Sequence, residues 1–158
     1  MARVEDILNW RVVDEDISTS GQPSEAELEA LRDAGVTVIV NLGPHSNKGA
    51  LEDEPRSVML LGMEYVYIPV DFEAPNGADF EAFQKALADH AGQRIHVHCI
   101  YNARVSAFFY VRAVVADAGV AEAFARMDGI WRPGGVWSAF IGNPEDLDKP
   151  NRYKGEDY

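Results

Sequence analysis

Cysteine is almost missing from this 158-residue chain, which has one, Cys99, so an internal disulfide and a disulfide-stapled scaffold are excluded. Histidine is nearly as scarce, at four, and no His and Cys residues have the spacing of zinc ligands, so neither a metal nor a cofactor is expected. Apolar runs are short: none approaches the roughly 18 residues that a membrane span needs. The opening Met1-Ala2-Arg3-Val4-Glu5-Asp6 also lacks the charged-then-apolar pattern of a secretory signal. Positive charge is the other shortage. Fourteen Lys and Arg stand against 26 Asp and Glu, a formal net of -12, which argues against sequence-independent nucleic-acid binding and against adsorption to anionic lipid. The expectation is a soluble cytoplasmic protein with no nucleic-acid or membrane partner. Any anionic substrate must be drawn in by a local field.

What is present suffices for one core. With 47% hydrophobic residues, a chain of this length buries about 70% of the surface it would expose unfolded. Ser24 and Glu27 form a capping box ahead of Leu28 and Leu31, and Gly35 ends the segment, so 24 to 34 is expected as a helix. Val36 to Leu42 is β-branched and apolar almost without alternation, as in a strand covered on both faces of a parallel sheet. The pattern repeats along the chain. Helices are expected over about 51 to 61, 79 to 90, 103 to 116 and 120 to 127, with strands over 64 to 70 and 94 to 98. Ile17 to Pro23 and Trp131 to Trp137 read as turns. The fold class is therefore α/β, a single domain with a central, mostly parallel sheet of about 4–5 strands and helices on both faces. Residues 1–146 form the expected domain, and 147–158, poor in apolar groups, an expected flexible polar tail.

The stretch from Arg94 to Ser106 concentrates the chemistry. Cys99 stands at the C-terminal end of a strand, followed by a tight polar turn, a helix start and Arg104. There, backbone N–H groups of Ile100, Tyr101, Asn102, Ala103 and Arg104 can converge on an anion, and the Arg104 guanidinium can grip it with two parallel hydrogen bonds. The same positive field favours a thiolate. Asn102 suits the turn because Asn tolerates a left-handed backbone better than most residues.

His98-Cys99-x4-Arg104, preceded by Ile95 to Val97, resembles the signature loop of the protein tyrosine phosphatase superfamily, which ordinarily carries one residue more between Cys and Arg. Ser18 to Pro23, Val36 to Leu42 and Tyr65 to Asp71 stand in the order found in compact bacterial dual-specificity-like phosphatases, so the resemblance spans roughly 8 to 142. It implies a phosphomonoester hydrolase, acting on phosphotyrosine or a small phosphate ester, in which Cys99 attacks phosphorus to form a cysteinyl-phosphate. Arg104 and the loop amides would stabilise the equatorial oxygens. His98 would prop the cysteine backbone. Asp71, 28 residues before Cys99, would protonate the leaving oxygen, with Glu73 in reserve. Val105 occupies the position where the superfamily has Ser or Thr, so Ser106 is the candidate for assisting thiolate departure. Two other classes stay open: a rhodanese-like sulfurtransferase carrying a persulfide on Cys99, and a phosphate-binding module without turnover. The chain lacks the rhodanese Asp-x-Arg strand end and Gly-His-Ile-Pro-Gly run. His45, Lys48, Tyr101 and Arg132 are read as surface or structural residues.

Overall fold

The computed structural model describes residues 2–154. Its main sheet contains β1 (Arg11–Val12), β2 (Ile17–Ser20), β3 (Val38–Asn41), β4 (Glu64–Tyr67) and β5 (Ile95–His98) in the order β1-β2-β5-β3-β4. Only β1 runs antiparallel, and β5, flanked in parallel by β2 and β3, is the middle strand. Every residue of β3 and β5 is buried, as expected of strands covered on both faces of a parallel sheet.

Strand alternation divides the core in two. Val38, Val40, Ile95, Val97 and Cys99 join the larger cluster, with α3 (Gly77–Asp89), α4 (Ala103–Val115) and α6 (Gly135–Ile141). Ile39 joins the smaller one, with Leu28 and Leu31 of α1 (Glu25–Asp33) and Val58 of α2 (Glu54–Leu60). Helices therefore cover both faces. The capping box is present: Ser24 accepts from the Glu27 amide, and Glu27 accepts in return from the Ser24 amide. A short α5 (Val120–Phe124) follows α4.

Three stretches depart from the expectations. Ile17–Ser20 is a strand, not a turn. Its hydroxyls are drawn into the interior by a partner on β5, where Ser18 lies opposite His96 and Ser20 opposite His98. Trp131–Trp137 is more than a turn, since Trp131–Arg132 forms β6 and Gly135 opens α6, with both tryptophans buried. Residues 147–154 are partly structured, because β7 (Arg152–Tyr153) pairs with β6 and Arg132, Lys149 and Arg152 converge on buried Asp146. The rest of the expected tail, 155–158, lies outside the described residues. Helix α4 is buried unevenly: its first eight residues are covered, whereas Val114 and Val115 are exposed.

Candidate active site

β5 delivers the chain to Cys99, a free thiol with no exposed surface. The turn after it leads into α4 through Asn102, whose backbone is left-handed at φ 73°, as its residue type suggests. Among the described residues, none accepts a hydrogen bond from the amides of Ile100, Tyr101, Asn102, Ala103 or Arg104. These amides open a 13-residue helix whose dipole places partial positive charge at the same end.

The loop is held from outside. The Ile100 carbonyl accepts from the Gln22 amide at 3.0 Å, the Tyr101 carbonyl from Asn9 Nδ2 at 2.8 Å, and Asn102 Nδ2 donates to the Asn9 carbonyl at 2.9 Å and to Thr19 Oγ1 at 3.1 Å. Asn9 is itself left-handed, at φ 52°. The approach is so close at Gly21 that a β-carbon there would stand 2.6 Å from the Ile100 carbonyl oxygen. Residues 9 to 22 thus brace the loop.

Arg104 is only 6% exposed. Its Nη2 donates to Asn47 Oδ1 at 3.2 Å and its guanidinium lies 5.2 Å from the centre of the Phe72 ring, while Nε is buried with no partner. Arg104 lines an open cleft of about 500 Å³ with Asn47, Lys48, Asp71 and Phe72. Asp71 is exposed, and its Oδ1 accepts from the Glu73 amide at 2.9 Å. The Asp71 loop is anchored by Trp137 Nε1, which donates to the Phe72 carbonyl at 2.7 Å. The structure therefore brings Arg104 and Asp71 to one cleft. Glu73, also exposed, does not line it. Lys48, read as a surface residue, does, and gives the cleft a second cation.

Ser106 is placed differently from its expected role. Its hydroxyl donates to the Ala103 carbonyl at 3.0 Å and accepts from Trp131 Nε1 at 3.0 Å, so its one proton is used within the helix. His98 Nδ1 lies 2.9 Å from the Cys99 carbonyl oxygen. Its other nitrogen reaches a residue that sequence reasoning missed: Nε2 lies 2.6 Å from Glu54 Oε2, both side chains being buried. Burial alone would raise the Glu54 carboxyl, but the hydrogen bond and charge of His98, with help from Gln22 and His45, hold it below its ordinary value. In sequence Glu54 is merely an acid in the first turn of a helix, so nothing marks it.

The thiol at a strand end, the unpartnered amides, the buried arginine and the carboxylate on the cleft stand on a phosphatase fold. No family model matches the chain. Two crystal structures of a Shewanella putrefaciens CN-32 protein named "Putative phosphatase (DUF442)" are similar to it. One is 35% identical, covers 87% of this chain and 91% of that one, and has a TM-score of 0.76; the other is 36% identical, with 79% and 81% covered and a TM-score of 0.71. The chain belongs to that family, and its fold is protein tyrosine phosphatase-like. Pseudomonas aeruginosa TpbA, crystallised with pTyr, shares the fold at 14% identity, with 94% of this chain and 82% of that one covered and a TM-score of 0.64. A protein of Xylella fastidiosa (strain 9a5c) named "Beta-lactamase hydrolase-like protein" is 30% identical over 110 residues, 66% of this chain. The chain spans about a quarter of the length of the curated relatives it matches.

Proposed function

We propose that this chain hydrolyses phosphomonoesters, phosphotyrosine or a small phosphate ester, through a cysteinyl-phosphate on Cys99. The observation that carries the reading is the buried Arg104 Nε without a partner, in a side chain that lines the cleft at the start of α4. A buried guanidinium N–H left unbonded is costly, and a phosphate oxygen would satisfy it. The amides of Ile100, Tyr101, Asn102, Ala103 and Arg104 complete the cradle. The pTyr bound to TpbA supports a phosphomonoester as substrate.

In the proposed reaction the Cys99 thiolate displaces the alcohol from phosphorus in line, and Asp71 gives the leaving oxygen its proton. Water, activated by Asp71 as carboxylate, then breaks the S–P bond and releases inorganic phosphate and the thiolate. His98 holds the cysteine backbone throughout. Residues 1–146 carry all of these groups and form the proposed catalytic domain. A reducing compartment such as the cytoplasm would keep the lone thiol free.

The test is hydrolysis of p-nitrophenyl phosphate, with loss of turnover on the order of 10⁴-fold or more in Cys99→Ser and about 10²-fold or more in Arg104→Lys. Asp71→Asn should cost least with p-nitrophenol, a leaving group that needs little protonation, and more with an alkyl phosphate. Sulfur transfer from thiosulfate to cyanide without ester hydrolysis would select the sulfurtransferase instead.

A further inference from the structure

The contact between His98 and Glu54 fixes more than a side-chain orientation. A carbonyl oxygen can only accept, so His98 Nδ1, 2.9 Å from the Cys99 carbonyl oxygen, carries a hydrogen. Two lone pairs cannot face each other at 2.6 Å in a buried site, so Nε2 and Glu54 Oε2 have a second proton between them. Glu54 Oε1 already accepts from Gln22 Nε2 at 2.7 Å. The pair is then either a carboxylate with an imidazolium or a carboxylic acid with a neutral imidazole.

The surroundings favour the charged form. Glu54 is the first helical residue of α2, where helix N–H groups favour a negative side chain, and its carboxyl is held below the ordinary value. The other titratable groups facing the pair are His45 from the loop after β3, Tyr65 from β4 and His96 from β5. Burial and the Glu54 charge push the Tyr65 phenol upward, so it keeps its proton. Burial, with the charge of His98, pushes His96 well below its ordinary value, so it stays neutral.

We propose that Glu54 is a positioning residue for the nucleophile: it keeps His98 doubly protonated, so that an imidazolium rather than a neutral ring grips the Cys99 backbone and favours the Cys99 thiolate. The ion pair lies on the α1–α2 face of β5, and the thiol, one residue along, points to the other. The positive member of the pair is the one bonded to the cysteine. No contact between Glu54 and substrate is needed. The proposal rests on Cys99 being the nucleophile.

Glu54→Gln separates charge from packing. The carboxamide oxygen would still accept from Gln22, and its NH₂ would donate to His98 Nε2, which then has no hydrogen of its own. The fold is kept and the imidazolium is lost. In ¹⁵N spectra at about pH 7, both ring nitrogens of His98 should be protonated in the wild type and only Nδ1 in Glu54→Gln. Iodoacetamide should alkylate Cys99 about tenfold more slowly in Glu54→Gln at about pH 6, with Glu54→Asp, which retains the charge, closer to wild type. A wild-type spectrum with Nε2 bare overturns the proposal, as do equal alkylation rates in wild type and a folded Glu54→Gln. Neither measurement needs turnover. Failure of p-nitrophenyl phosphate hydrolysis would strike the phosphatase reading and leave this result readable on its own.

Discussion

His96 and His98 sit two residues apart on one face of β5, both without exposed surface and with ring centres 6.5 Å apart, yet their hydrogen-bond partners differ in kind. His96 lies between two hydroxyls, Ser18 Oγ at 2.8 Å from Nδ1 and Ser20 Oγ at 2.7 Å from Nε2. Ser20 gives its own proton to the Gly21 carbonyl, so it accepts from Nε2–H, and Ser18 donates to Nδ1. A neutral ring satisfies every bond. His98 lies between a carbonyl, which can only accept, and the Glu54 carboxyl; with that carboxyl charged, as proposed above, a neutral ring would leave one of its bonds unmade. Equal burial thus does not mean equal charge; the donor and acceptor character of the partners decides it.

The largest separation between the two sites should appear in turnover. His98→Ala removes the grip on the Cys99 carbonyl and should cost on the order of 10²-fold in kcat toward p-nitrophenyl phosphate. His96→Asn should stay within about threefold, since His96 touches β2 and not the cysteine. Comparable losses in the two variants would mean that the strand acts as one unit.

Acid stability should separate them next. The unfolded chain protonates a histidine below about 6.5, whereas buried His96, held well below that value, stays bare, so the unfolded state binds more protons and stability falls as pH drops from 6.5. The slope should approach 1.4 kcal/mol per pH unit, read from urea midpoints, and His96→Asn should flatten it. Glu54, with its folded value depressed, contributes stability that is complete above the ordinary 4.5 and is lost as pH falls through the lower folded value. A second, steeper loss in that range should disappear in Glu54→Gln.

Smaller still is the support of the acid loop. Trp137→Phe removes the bond to the Phe72 carbonyl and should lower stability by about 1 kcal/mol. The same variant should slow alkyl phosphates, which depend on Asp71, more than p-nitrophenyl phosphate. The smallest effect is at His90, raised by the Ala86 carbonyl and by Glu64, and it has the opposite sign. Its stabilisation is complete below 6.5 and lost as pH rises through the raised folded value; because Glu64 is largely exposed, His90→Asn should cost less than about 1 kcal/mol at acidic pH.

What the sequence made legible follows from range. The Ser24 cap, the apolar strand Val38–Asn41 and the left-handed Asn102 are each dictated by neighbours a few residues away, and each is where it was expected. Cys99 and Arg104 were readable for the same reason. Ile17–Ser20 was not, because a Ser and Thr run has turn composition and becomes a strand only through β5, 78 residues later. Glu54 was hidden for a similar reason: its partner is 44 residues away, and a first-turn acid is the commonest thing for such a residue to be. Asp71 became a candidate only through topology, since a loop carboxylate says nothing by itself.

The brace between Asn9 and Asn102 also sets an order of events. Its bonds join residues 92 and 93 positions apart, and closing so long a span carries an entropic cost that nearby contacts do not. During synthesis the first strand pair must wait for β5 to emerge before the turn after Cys99 has a wall to rest against. On refolding, helical signal should therefore return before catalytic competence. The delay would measure how long the two distant asparagines take to meet.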